Sequence, residues 1–163
     1  MSSTESEAIA AGDVWFEQGL FQGRPNWEQF LKLPKPTLTE DELYFLNHQV
    51  TELCSMLNEK QSVTNTQDLS PEVWKFLKDK GFFGMIIPKQ YGGLEFSALA
   101  HSTIVQKIAT LNLAAAITVM VPNSLGPAEL LLHYGTEAQK EQYLGRLASG
   151  QEIPCFGLTS PEA

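Results

Sequence analysis

The chain has 163 residues, enough for one globular domain with a sizeable core. Hydrophobic residues make up 43% and charged residues 18%, the ordinary balance of a folded protein. The formal net charge is -8 and no cluster of Lys and Arg offsets it, which argues against nucleic acid or an anionic membrane as partner, since either would need a basic patch. Cys54 and Cys155 are far apart and have neither metal-site spacing nor the pattern of a disulfide framework, so both are expected to be reduced thiols, in keeping with a cytosolic compartment. The polar stretch from Ser2 to Glu7 lacks the basic and apolar regions of a signal peptide. No stretch is expected to reach the roughly 18 apolar residues of a spanning helix.

Residues 1–36 read as an irregular leader. Its first dozen residues are small and polar. Trp15, Phe16, Phe21, Trp27 and Phe30 follow, interrupted by Pro25, Pro34 and Pro36. These rings are expected to be buried across the surface of the domain; the alternative is contact with a partner domain or a membrane interface. A first helix begins near Thr39, with Thr39 and Glu42 as a capping box. Leu43, Leu46, Val50, Leu53, Cys54 and Leu57 lie on one face of it at helical spacing. A second helix takes Ser70 as N-cap and Pro71 at its first position, carries Val73, Trp74, Phe76 and Leu77, and stops at Gly81. The run Phe82 to Pro88 is too short for a helix and reads as extended and buried; residues 90–93, QYGG, form a turn. A third helix runs from about Ser97 to Thr110 with Leu99, Ile104, Val105 and Ile108 as its buried stripe. Residues 112–121, NLAAAITVMV, form a fourth helix that is apolar nearly all round; burial on most sides and a stop at Pro122 are expected. A fifth helix runs from Gly126 to Tyr134. A sixth opens on a Thr136/Gln139 capping box and ends at Gly150.

After Gly150 the period changes from helical to two: Ile153, Cys155, Gly157 and Thr159 alternate with Pro154, Phe156 and Leu158, which predicts a strand. A lone strand has no partner for its backbone groups, so the pattern predicts truncation at the start of a β domain. The expected organisation is a leader over 1–36, a helical domain over 37–150, and the start of a β domain over 151–163.

Few residues announce chemistry. His48, His101 and His133 have no ligand spacing and are assigned structural or surface roles. Gly92-Gly93 is a turn, too short a signal for a phosphate loop. Glu40, Asp41, Glu42, Glu72 and Glu137 occupy first helical turns, where the helix dipole favours them.

Three strings say more. Residues 122–127 read PNSLGP, residues 133–140 read HYGTEAQK, and residues 155–163 read CFGLTSPEA; the earlier FGMIIP (83–88) and YGG (91–93) precede them in order. Together they resemble the acyl-CoA dehydrogenase family over about residues 38–163, closest to the large bacterial fatty-acid-degrading members. The resemblance implies an all-α, six-helix N-terminal bundle followed by the first strand of a middle β domain, with a C-terminal helical domain beyond. It also implies FAD as cofactor, dehydrogenation of a fatty acyl-CoA across Cα–Cβ in β-oxidation, an electron-transferring flavoprotein as acceptor, and a homo-oligomer when complete. By the same resemblance Phe156, Leu158 and Thr159 would contact the flavin, while Ile117, Thr118, Val121 and Leu125 would line the acyl-chain tunnel. Those four are also what a buried core would use. No residue of this chain matches the catalytic carboxylate, so the chain alone is expected to be inactive. The alternatives are an acyl-CoA oxidase-like flavoprotein and a non-catalytic helical module that binds acyl chains or a protein. Expected partners are the acyl-CoA, the electron-transferring flavoprotein and the chain's own middle and C-terminal domains. The expected location is cytoplasmic, with the periphery of the inner membrane as the alternative and no metal required.

Overall fold

A computed structural model describes residues 16–58, 68–124, 126–155 and 157. The chain divides into two compact units, Met1–Pro36 and Thr37–Ala163. Among the described residues of the first, two short helices stand where an irregular leader was expected: α1, Glu17–Phe21, and α2, Trp27–Leu31. The Asn26 side chain starts α2 by accepting from Gln29 N at 3.0 Å, the usual work of an N-cap. Trp27 meets Phe30 edge-on, centroids 6.1 Å apart, and Phe16 packs on both rings. Within this unit the aromatic stretch is not enclosed. Phe21 is 92% and Trp27 56% exposed, because one-turn helices are too small to enclose their own rings. Trp15 lies outside the described residues.

The regular elements among the second unit's described residues are helices. The single helix expected from Thr39 is broken at His48 into α3, Glu40–Asn47, and α4, Gln49–Asn58. The cause is side-chain capture of the backbone: Leu46 O, which the next turn would have used, accepts from Lys107 Nζ at 3.0 Å and Thr51 Oγ1 at 3.4 Å, while His48 Nδ1 lies 2.9 Å from Tyr44 O. The break re-aims the stripe. Val50, Leu53, Cys54 and Leu57 are buried as expected, but Leu43 is exposed and Phe45 takes its place inside.

α5, Pro71–Asp79, begins on the Ser70 hydroxyl and is followed by Gly81 at a φ of +77°, the left-handed stop that its sequence predicts. Phe82, Phe83, Met85 and Ile87 come next, each no more than 1% exposed. Burial there was expected; extension was not found. Gly84 N–H donates to Gly81 O and Ile87 N–H to Gly84 O, so the segment is a chain of turns. A 3-10 turn, Lys89–Tyr91, then reverses it, and residues 94–96 return alongside. Leu94, Glu95 and Phe96 donate to Gly84, Ile87 and Met85 at 2.7–2.9 Å. This return requires Gly93: a Cβ there would stand 1.9 Å from Ile87 O.

α6, Ala98–Ala109, and α7, Leu113–Ser124, form the most extensive helix pair. α7 runs through Pro122 instead of stopping at it. α8, Pro127–Tyr134, and α9, Glu137–Ala148, follow, the latter on the expected Thr136/Gln139 capping box. The unit thus has seven α-helices among its described residues, where six were expected, and the difference is the His48 break. Residues 113–134 are long and apolar enough to pass for a membrane span by composition, contrary to the sequence expectation, but Gly126 and Pro127 divide them into α7 and α8. Residues 153–155 and 157 form no strand, since no second strand among the described residues offers them a ladder. The rest of the predicted strand lies outside the described residues.

One buried carboxylate ties the start of α3 to the start of α6. Glu42 is 3% exposed and accepts from Thr39 N at 2.8 Å and from Ser97 N at 2.6 Å. Burial pushes its pKa up, but the hydrogen bonds from Ser97 and Thr39 outweigh that and hold it below the ordinary value. Glu42→Gln would set an amide N–H against one of these two donors and should cost about 1.5–3 kcal/mol. Because the folded pKa is depressed, the contribution is complete above the unfolded pKa and is lost as pH falls through the folded one. Urea unfolding from neutral to acidic pH should therefore show a steeper acid loss for the wild type than for Glu42→Gln.

Candidate functional site

α7 shows two chemical faces. At 100° per residue, Leu113, Ile117 and Val121 recur at i, i+4 and i+8 on one side. Leu113 is 66% and Ile117 46% exposed; Val121 and Thr118 are half-buried. The opposite side, with Ala115, Ala116, Val119 and Asn123, is buried. A helix apolar all round was expected to be enclosed on most sides; here one side is open, because α6 and α8 pack on the other. Thr118 Oγ1 donates to Ala114 O at 2.8 Å, so its polarity is absorbed within the helix. No charged residue interrupts α7. Of the four residues expected to line an acyl tunnel, Ile117, Thr118 and Val121 therefore share an open, uncharged surface. The fourth, Leu125, lies outside the described residues.

Asn123 is the residue that sequence reasoning missed. It stood in the NSL string but carried no assigned role. It is 2% exposed, and its Nδ2 donates to Phe82 O at 2.7 Å and Val119 O at 2.8 Å while its Oδ1 accepts from Ile86 N at 3.3 Å. A buried amide satisfied on both ends is a structural clamp. The sequence signal was available: a polar residue on the inward face of an otherwise apolar helix must find partners there.

His101 and His133, unrelated by sequence spacing, border one cavity of about 380 Å³ together with Ile86, Ser124, Glu129 and Leu132. His101 Nε2 is buried there without a hydrogen-bond partner, and burial lowers the pKa of the ring. His133 Nε2 is 3.7 Å from Glu129 Oε1 at the exposed rim. Among the described residues no group of three or more His, Cys, Asp or Glu could hold a metal ion.

The residues expected to touch a flavin, Phe156, Leu158 and Thr159, lie outside the described residues. Their neighbour Cys155 is an exposed free thiol bordering a hollow of about 500 Å³ walled by Pro127, Leu131, Tyr143, Leu147 and Ile153. A flavin needs amide and hydroxyl groups along its polar edge. In this mostly apolar lining Tyr143 carries a hydroxyl and Glu152 a carboxylate.

Residues 45–151 match the family model "Acyl-CoA dehydrogenase, N-terminal domain". The very long-chain specific acyl-CoA dehydrogenase of Rattus norvegicus, a mitochondrial protein, is 30% identical over 165 residues, covering 99% of this chain and 25% of the relative. Its Homo sapiens counterpart is 30% identical over 163 residues, covering 98% and 25%. The 3-(aryl)acrylate reductase of Clostridium sporogenes is 38% identical over 101 residues, covering 62% of this chain and 26% of that protein. The chain thus spans about a quarter of the length of the curated relatives it matches. Among solved structures, a chain in that of the electron transferring flavoprotein of Acidaminococcus fermentans, concerned with flavin-based electron bifurcation, superposes with a TM-score of 0.64 at 25% identity, covering 80% of this chain and 34% of that one.

The half-buried His101 makes stability depend on pH in a definite direction. Its folded pKa is lowered from the ordinary 6.5, so the unfolded chain takes up a proton that the folded chain resists. Stability is therefore complete above the unfolded value and falls as pH drops from there toward the folded value. His101→Leu should flatten this portion of the curve in denaturant unfolding followed by tryptophan fluorescence. A curve identical to wild type would remove His101 as its source.

Proposed function

Since the chain belongs to the acyl-CoA dehydrogenase family, through that family's N-terminal domain, we propose that the protein carrying it dehydrogenates a fatty acyl-CoA across Cα–Cβ to the trans-2-enoyl-CoA, a step of fatty-acid β-oxidation. The observation that carries this reading is the open stripe of Leu113, Ile117 and Val121 with Thr118 beside it. It is uncharged and spans about 12 Å from end to end at 1.5 Å per residue. A hydrocarbon tail needs a wall of this kind: apolar, extended and without directional demands. The stripe is this chain's contribution to the substrate site, and a medium-to-long acyl tail is the substrate class it fits. FAD would supply the oxidising chemistry and an electron-transferring flavoprotein would accept the electrons. Contacts to the flavin would come from Phe156, Leu158 and Thr159 and from further domains, as would the catalytic base. The complete protein would be a cytoplasmic homo-oligomer, and the chain alone would be inactive.

The test is turnover by the whole protein that carries this chain. Purified with its flavin, it should convert saturated acyl-CoAs between octanoyl-CoA and stearoyl-CoA to products two hydrogens lighter by mass spectrometry, with an artificial electron acceptor in place of the flavoprotein. Absence of product across the series sinks the proposal. Rapid reoxidation of the reduced flavin by oxygen would convert it into an oxidase reading.

A further inference from the structure

We propose that Asn123 is a positioning residue for acyl-chain selection, fixing the rotation of α7 so that Leu113, Ile117 and Val121 face the acyl tail. Given the acyl-CoA reading of α7 above, on which this rests, the geometry requires something to hold that helix. Pro122 has no N–H, so the bond it would have made to Thr118 O is missing from the last turn. A helix end loosened in this way could pivot about Pro122, and Val121 sits beside the pivot. Asn123 prevents it. One amide hydrogen returns to Val119 O and adds a link within the turn; the other reaches Phe82 O, 41 residues away. The carbonyl end takes Ile86 N–H, 37 residues away. At 100° per residue Asn123 stands about 160° around the helix from Val121, about 120° from Ile117 and about 80° from Leu113, so the clamp lies away from the stripe and most nearly opposite its Val121 end. Any rotation that frees the amide turns the stripe away from its present direction.

The base to which α7 is clamped is itself fixed. Phe82 is wholly buried, and Gly84, Met85 and Ile87 accept from the returning residues 94–96. None of the clamp's three hydrogen bonds involves a stripe residue. Its effect on substrate would pass entirely through the position of the helix, and so should fall on the comparison between acyl lengths.

In the whole protein, kcat/KM for palmitoyl-CoA and octanoyl-CoA and the thermal midpoint should be measured for wild type, Asn123→Ala, Asn123→Ser and Leu77→Ala. Leu77 is wholly buried in the core and makes no part of α7. Both Asn123 variants should change the palmitoyl-to-octanoyl ratio by about tenfold, the scale expected when a substrate wall is displaced by an ångström or less. Leu77→Ala should lower the midpoint and leave the ratio unchanged. The Ser variant keeps a small hydroxyl donor in the same space and serves where the Ala variant is not recovered folded. Asn123 variants with a lowered midpoint and the wild-type ratio overturn the proposal and leave a structural clamp. An inactive wild type instead overturns the acyl-CoA reading itself.

Discussion

Three main-chain hydrogen bonds, from Leu94, Glu95 and Phe96 to Gly84, Ile87 and Met85, hold the segment on which the helical unit is assembled. Residues 82–87 cross between the unit's two hydrophobic clusters. Phe82, Phe83 and Met85 enter the cluster built with α3, α4, α5, α6 and α7, while Ile87 enters the one built with α8 and α9. Each of these side chains is worth about 1.5–3 kcal/mol when withdrawn from water. Their joint burial depends on a backbone that turns where a strand or helix would run straight. Gly93 permits the close return, and Gly84 lets the segment approach α9, since a Cβ there would lie 2.9 Å from Ala148.

Among the described residues two polar side chains are buried, Glu42 and Asn123, and both anchor this region. Asn123 binds the segment itself, at Phe82 and Ile86. Glu42 binds just past its exit, at Ser97. Polar groups in a low-dielectric interior are costly when unpaired and directional when paired, so each fixes a geometry that apolar packing alone would leave free to slide. Glu42 orients α3 against α6, and Asn123 orients α7 against the turns. Cohesion comes from the apolar side chains; the angles between helices come from these two.

Local features were legible in the sequence. Thr39, Ser70 and Thr136 each cap a helix as their spacing implies, and Gly81 ends one. These signals involve partners three or four residues away, and a sequence shows such pairs directly. The His48 break was not legible because Lys107, which holds Leu46 O, is 61 residues distant. The turns at 82–88 failed for a related reason: a short apolar run closed by Pro reads as a buried strand, and only residues 94–96, arriving from the other side of a 3-10 turn, show what its carbonyls do. For the site, residue type was legible and exposure was not. Ile117, Thr118 and Val121 could be selected as apolar, but apolarity all round a helix does not say which side is open.

That ambiguity bears on function. An apolar side chain at a helix surface is either withdrawn from water by its own fold or available to an apolar partner. In α7 both occur on one helix, about 180° apart. On the packed side, shape is enforced by Ala115 and Ala116, whose small side chains let α7 lie close against its neighbours. On the open side, larger Leu113, Ile117 and Val121 project with no polar atom among them. A ligand recognised by such a surface forms no hydrogen bonds with it and can slide along it. Discrimination among apolar tails must then come from where the surface stands, and for α7 that is set on its far side, by the amide of Asn123.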